Sequence, residues 1–350
     1  MSLSRPPHAV TLREVAEEAG LSVSAVSMAL KDHPRISQET KERVRRIAAG
    51  LGYVPNSAGR ALRARRADAI AVIVPNTSHH VFGHTYFMKV LTGVNEVAIR
   101  HDAQLVISTN PDDAEGGMAY ERVMKSGSVD GAIVTSASVD DPGIGRLIAS
   151  GLPVVLLGRF PHLPDAVSVG IDDRAAERLA TEHLVRVHGR RRLVHLSGPL
   201  DHQAAMDRRD GFLDAMRETG AEGRVVEGDF SEESGYRVGR TLAADGLDGL
   251  DGLVAGNDDM AYGAMVALQE AGRTVPQDVA VVGFDDFGLS RVTTPAIATV
   301  HVPAERWARQ ATERLFDLIL GAAAGHEPAP VLPVELVPRR SCGCEDRPRA

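Results

Sequence analysis

The sequence predicts a small all-α head followed by a larger α/β body of two doubly wound parallel lobes. Three observations predict it. Residues 11–52 carry three short amphipathic helix patterns, each with its own start signal. From about Ala69 onward, apolar runs of strand length alternate with helical stretches, a pattern of parallel sheets covered on both faces. The charge is also divided. Residues 1–66 hold 12 Lys/Arg against 6 Asp/Glu, whereas the remainder holds 27 against 41. A basic head on an acidic body suits a chain whose head meets phosphate while its body is repelled from it.

Residues 1–10 contain Pro6 and Pro7 and no periodicity, and read as a loose arm. Thr11 and Glu14 have capping-box spacing, after which Leu12, Val15, Ala16 and Ala19 share one helical face. Gly20 allows a turn that a residue with a Cβ would resist. Ser22 caps a second helix with Val26, Ala29 and Leu30 inward and Val23, Ser24, Ser27 and Met28 outward. Helix, Gly-containing turn, helix is the helix-turn-helix arrangement, whose second helix enters the DNA major groove. Ser37 caps a third helix with Val44, Ile47, Ala48 and Leu51 as its inner stripe and Gly52 past its end. Asn56 can cap a basic segment, SAGRALR, too short to be a stable helix alone in water and weakened further by Gly59.

In the body, strands are expected at 69–75, 103–109, 130–135, 153–158, 192–198, 251–256 and 279–286, with helices such as Phe87–Arg100 and Arg174–Val187 between them. Ligands of such lobes bind outside the carboxyl ends of the strands, and two facing lobes make a cleft that closes on a small molecule. PVELVPR reads as a last strand and residues 341–350 as a loose tail.

Composition bounds the function. At 350 residues, 43% hydrophobic and 25% charged, the chain has globular composition and exceeds one ordinary domain. No apolar run approaches the roughly 18 residues of a membrane span. MSLSRPPHAV lacks the apolar core of a signal peptide, so a cytoplasmic location is expected. Cys342 and Cys344 are too few for a disulfide framework, and two thiols alone make a poor metal site, so they read as a free pair and neither metal nor cofactor is expected. Asp258, Asp259, Asp285 and Asp286 could suggest acid–base chemistry, but the chain has no GxSxG elbow, P-loop or HExxH, and no GxGxxG at its first strand. An enzyme is not expected.

The head resembles the DNA-binding headpiece of the lactose-repressor/galactose-repressor (LacI/GalR) family. The residues that carry the likeness are TLREVAEEAGLS, the AVS of the second helix, RIS before the third and LGYVPN before the basic segment. The body is similar too, through NTS after the first strand, SGP at 197–199, RRDGF at 208–212, GDFSEESGY at 228–236, AGNDDMAYGA at 255–264 and VGFDD at 282–286. The match runs from about residue 11 to 340.

The resemblance implies a headpiece over 1–55, a hinge helix over 56–67 and a periplasmic-binding-protein-like effector domain over 68–340. The protein would be a ligand-responsive regulator, most simply a repressor of carbohydrate genes. It would bind palindromic operator DNA as a homodimer, since no leucine heptad suggests a tetramer arm. Two alternatives stay open: a small-molecule binding protein whose DNA role is minor, and a regulator of non-sugar metabolism.

The implied DNA-binding residues are Thr11, Leu12, Ser22, Val23, Ser24, Ser27, Met28, Lys31, Arg35, Ser37, Thr40, Tyr53, Asn56 and Leu62. Thr11, Ser22, Ser37 and Thr40 suit phosphate contacts, with Lys31 and Arg35 adding charge. Met28 stands where many members carry Arg or His and cannot make their bidentate base contact. Leu62 matches a leucine that wedges into the minor groove. The implied effector residues are Phe87, Thr135, Arg159, Met206, Phe230, Asn257 and Asp285. Met206 stands seven residues after Pro199, where sugar-responsive members have a ligand-clamping Arg, so a guanidinium contact is expected to be missing unless Arg159 replaces it.

Overall fold

The computed structural model describes residues 10–30, 32–53, 66–111, 117–244, 249–322 and 331–345. The chain divides into two compact units, Met1–Ala67 and Asp68–Ala350.

The first unit contains α1 (Leu12–Ala19), α2 (Val23–Leu30) and α3 (Gln38–Leu51). The capping box is formed: the Thr11 N–H donates to Glu14 Oε2 at 2.6 Å and the Glu14 N–H to Thr11 Oγ1 at 3.3 Å. Gly20 closes α1 in the left-handed region at φ 63°. The Ser22 and Ser37 hydroxyls accept from Ala25 N–H and Thr40 N–H at the starts of α2 and α3. Val15, Ala16, Ala19, Val26, Ala29, Val44 and Ala48 form the buried core. Leu51, expected on the inner stripe of α3, is instead 38% exposed, because it lies in the last turn, where the other two helices no longer cover it. A polar clamp was not foreseen. Buried Lys41 reaches Asp32 Oδ1 at 3.0 Å and the Asp32 carbonyl at 3.1 Å, holding the loop between α2 and α3.

The second unit holds two six-stranded sheets. In the first, β1 (Ala69–Thr77), β2 (Gln104–Asn110), β3 (Gly131–Thr135), β4 (Val154–Leu157) and β5 (Ser168–Ile171) are joined by β11 (Val331–Leu332), in the order β11-β5-β4-β3-β1-β2. In the second, β6 (Arg192–Ser197), β7 (Glu222–Glu227), β8 (Gly252–Ala255), β9 (Ala280–Asp285) and β10 (Ala298–His301) are joined by β12 (Glu335–Val337), in the order β12-β10-β9-β8-β6-β7. Each sheet is thus doubly wound, with a switch point beside its own first strand. Pairing is parallel except between β10 and β12, which correct the all-parallel expectation with an antiparallel edge. The chain passes between sheets from β5 to β6, from β10 to β11 and from β11 to β12.

All eight predicted strands form, the last as β12 within PVELVPR. Four were not predicted: β5, β7, β10 and the two-residue β11. Glu222–Glu227 shows only half-buried or exposed positions, so an edge strand of this kind carries little apolar signal. The predicted helix over 174–187 is α-helical for Asp173–Glu182 and then widens into a π-helical turn, His183–Val187.

The tail also departs from expectation. Residues Arg340–Cys342 form a 3-10 turn with Ser341 and Cys342 fully buried. The Ser341 hydroxyl donates to the Val281 carbonyl at 2.6 Å and accepts from the Ala298 N–H at 2.8 Å. The turn is held because its Ser341 hydroxyl satisfies a backbone group on each of β9 and β10.

Candidate functional site

Two candidate surfaces exist, one in each unit. In the headpiece, Val23 and Ser24 of α2 are exposed while Ser27 and Met28 are half-buried. The hydroxyls expected to meet phosphate are already engaged. Thr11, Ser22 and Ser37 cap helices, and Ser37 and Thr40 share a 2.8 Å hydrogen bond. Arg35 is exposed. Leu12 and Tyr53, of the expected DNA-binding set, are partly buried and pack against the headpiece core. Lys31, Asn56, Gly59 and Leu62, and with them most of the hinge, lie outside the described residues.

In the second unit the carboxyl ends of both sheets face a common cavity of about 130 Å³. Thr135 ends β3 and Asp285 ends β9, while Arg159, Phe230 and Asn257 follow β4, β7 and β8. These five and Phe87 line the cavity together. Met206 does not. It and Arg208 lie two apart on the helix Gln203–Thr219, hence on opposed faces, and the helix turns Ala204 and Arg208 inward. A guanidinium is therefore present after all, from Arg208 in RRDGF.

Arg208 is buried and held from three sides. It donates to Asp173 Oδ1 at 2.8 Å and to the Gly256 carbonyl at 2.5 Å, and its guanidinium carbon sits 3.7 Å from the centre of the Phe284 ring. Asp285 lies at φ 116°, a backbone conformation costly for a residue with a Cβ. Burial pushes its carboxyl well above the usual range, against the pull of the Arg208 charge and with the help of Asp258, Asp259 and Asp173. Among the described residues no side-chain hydrogen bond reaches that carboxyl. A carboxyl in this state at the cavity wall can donate to or accept from a ligand's polar group.

The other acidic residues have structural roles. Asp286 N–H donates to Asp258 Oδ2 at 2.9 Å. Gly283 makes room for that carboxylate, since a Cβ there would lie 2.3 Å from Asp258 Oδ1. Burial raises the Asp258 pKa to about 7. Asp286 binds Arg339 at 2.6 Å, Arg291 at 2.8 Å and His301 at 3.2 Å. Burial opposes its ionisation, but these bonds win and hold it well below the ordinary range.

Asn257 caps the helix Asp258–Glu270 through its Oδ1 and donates from Nδ2 to the Phe230 carbonyl at 2.8 Å, so it positions the Phe230 loop. His84 Nε2 lies 3.1 Å from Asp259 Oδ2, tying the first lobe to the second across the cleft. Thr135 shares a 2.9 Å hydrogen bond with the Tyr86 hydroxyl. Arg159 stands at the rim, 3.6 Å from Asp207. His84, Tyr86, Asp173, Gln203, Arg208 and Trp307 also line the cavity and were absent from the predicted set. Of these, only Arg208 sat in a sequence block already singled out.

A helix-turn-helix unit joined in sequence to a two-lobed body with a polar cleft defines a ligand-responsive DNA-binding regulator. Comparison with known proteins agrees. Residues 11–56 match the model of bacterial regulatory proteins of the lacI family, and residues 181–342 match that of a periplasmic binding protein-like domain. The HTH-type transcriptional regulator CelR of Thermobifida fusca is 34% identical over 89% of this chain and 92% of its own. The ribose operon repressor of Halalkalibacterium halodurans is 30% identical over 84% of this chain and 85% of its own. Among solved structures, a CelR–cellobiose complex is 32% identical with a TM-score of 0.72. A lac repressor dimer bound to operator and the anti-inducer ONPF is 26% identical with a TM-score of 0.83. Each of these two structures covers 95% of this chain, which covers 99% of it. The chain belongs to the lacI family of bacterial regulatory proteins and is a transcriptional regulator rather than an enzyme. No described helix is long and apolar enough to cross a membrane.

Proposed function

We propose that the protein is a cytoplasmic homodimeric repressor of carbohydrate uptake or catabolism genes, whose effector is a sugar. The observation that carries the sugar reading is the pairing, in one cavity, of the unsatisfied Asp285 carboxyl and the Arg208 guanidinium with the rings of Phe87, Phe230 and Trp307. Hydroxyls need directional polar partners, and the C–H faces of a pyranose need flat apolar ones. The likeness to CelR, solved with cellobiose, makes short glucosides the first compounds to try.

In this reading, α2 of each protomer enters the major groove of one half-site and the paired hinge segments bring Leu62 to the minor groove between them. Effector binding shifts lobe orientation and, through the hinge, operator affinity. A coupling of about 1–3 kcal/mol would change that affinity roughly five- to hundred-fold.

The test is selection of genomic fragments by the full-length protein, then anisotropy titrations of the selected DNA with and without mono- and oligosaccharides. A palindrome should emerge, its affinity should fall steeply with salt, and one saccharide class should shift it. Operator binding without any saccharide response, but with a response to another metabolite class, would replace the sugar reading with a regulator of non-sugar metabolism. A flat, sequence-independent curve would leave only a small-molecule binding protein.

A further inference from the structure

The two cysteines do not stand alone. His183, which opens the π-helical turn before β6, and His188, which caps its end, meet Cys342 and Cys344 of the tail, and one ligand atom from each lies within 4.8 Å of all the others. We propose that these four side chains form a structural zinc site.

The distances fit a shared tetrahedral ion. Zinc bonds of about 2.3 Å to sulfur and 2.0–2.1 Å to imidazole nitrogen imply tetrahedral edges of about 3.3 Å for N···N and about 3.5 Å for N···S. His183 Nε2 lies 3.2 Å from His188 Nε2, 3.4 Å from Cys342 Sγ and 3.6 Å from Cys344 Sγ. Cys344 Sγ lies 3.3 Å from His188 Nε2. The two imidazole rings stand at 74° with centroids 4.8 Å apart, so they meet edge to face rather than stacked.

The backbone is shaped for this convergence. Two histidines five apart diverge on a regular α-helix, and a π turn returns them to one face; such turns are rare and concentrate at functional sites. Between the cysteines, Gly343 has φ 106°, and a Cβ there would lie 3.0 Å from His188 Nδ1. Glycine alone brings both thiols to the rings. Two thiolates and two imidazoles give Zn²⁺ a neutral, closed four-ligand shell, the pattern of a structural rather than a catalytic site. On binding, the two thiols release their protons.

The ion would fasten the chain's last turn to the end of the helix whose first residue, Asp173, pairs with Arg208 in the cavity. Sequence spacing alone conceals the set, since the histidines lie more than 150 residues before the cysteines.

The test uses full-length protein, reduced with a phosphine and stripped by a chelator, then titrated with Co²⁺. One equivalent should bind with the intense visible bands and near-ultraviolet thiolate charge transfer of a tetrahedral site, and Zn²⁺ should displace it. Protein purified without chelator should carry stoichiometric zinc by mass spectrometry, and its melting temperature should fall on stripping. Cys344→Ser and His188→Asn, shown folded by circular dichroism, should lose stoichiometric uptake. Reduced, folded wild type giving only a weak six-coordinate cobalt spectrum would overturn the proposal. So would full tetrahedral uptake by Cys344→Ser. The wild-type titration decides even where a variant fails to fold.

Discussion

The two walls of the effector cavity are built from different chemistry. The first lobe contributes rings: Tyr86 and Phe87 lie 5.1 Å apart edge to face, and Tyr86 and Trp307 6.4 Å apart, all on helices packed over the first sheet. The second lobe contributes charge and directed polar groups, with Arg208, Asn257 and Asp285 at the ends of its strands or on its first helix. The division is not complete, since Phe230 adds a ring from the second lobe and Thr135 and Arg159 add polar groups from the first. A ligand that satisfies both walls favours one lobe orientation over others, which is the differential contact that any allosteric shift requires. His84 to Asp259 already spans the gap, so the two walls are held near each other before a ligand enters.

The contrast can be broken at several points. The largest effect is expected on the polar wall. Arg208→Ala leaves Asp173 buried and unpaired, at a cost of about 3–5 kcal/mol in urea-unfolding stability. Arg208→Lys should recover only part, since a point charge cannot serve Asp173 and the Gly256 carbonyl as a fork does. Next comes Asp285→Ala, which should abolish the effector-induced change in operator affinity, a coupling of about 1–3 kcal/mol, while binding to operator without effector survives. Anisotropy with an identified effector would read it, and an unchanged response would show that the carboxyl does not meet the ligand. On the aromatic wall, Trp307→Phe keeps a ring but removes the 2.5 Å donation from Nε1 to the Val169 carbonyl. A loss of about 1 kcal/mol is expected, with effector affinity reduced less than by Asp285→Ala.

A pH series sharpens the comparison independently of ligand. Asp258 has a folded pKa of about 7, above its unfolded value of about 3.9. Between those values the folded state binds the extra proton, so this residue makes the protein more stable as pH falls from about 7 towards 4. Asp286 is shifted the other way: its contribution is present above about pH 4 and is lost as pH falls further. Melting temperature should therefore pass through a mildly acidic maximum. In Asp258→Asn the rise from pH 7 to 4 should shrink while the acid loss stays. An identical profile in wild type and variant would contradict the assignment.

Much of the fold was legible because its signals are local. The capping box at Thr11, the left-handed Gly20 and the Ser37 cap were each written within four or five residues, and each is formed. The buried strands β1, β3, β8 and β9 announced themselves as apolar runs because both of their faces are covered. Strand β7, half in water, did not. At the cavity, the strand-end residues Thr135 and Asp285 are among the lining, and on the helix Gln203–Thr219 it is Arg208, not Met206, that joins them. A count along the chain from Pro199 does not fix the phase of a helix about its axis, which is what turns Arg208 rather than Met206 to the cavity. Leu12 and Tyr53 are partly buried against the headpiece core, a packing that no local pattern signals.

The sequence by itself determined the headpiece helices, the alternation that makes two doubly wound lobes, and the strand ends from which a ligand site is built. These follow from periodicity, caps and burial, all of which act over a few residues. Only the tertiary structure decided that Asp285 faces the cavity while Asp286 is locked by Arg339, Arg291 and His301. It also decided that Arg208 supplies the guanidinium and that His183 and His188 meet Cys342 and Cys344. The physical reason is the same in each case. Where a side chain points depends on how its element is rolled against neighbours distant in the chain, and that roll is set by packing, which no local pattern encodes.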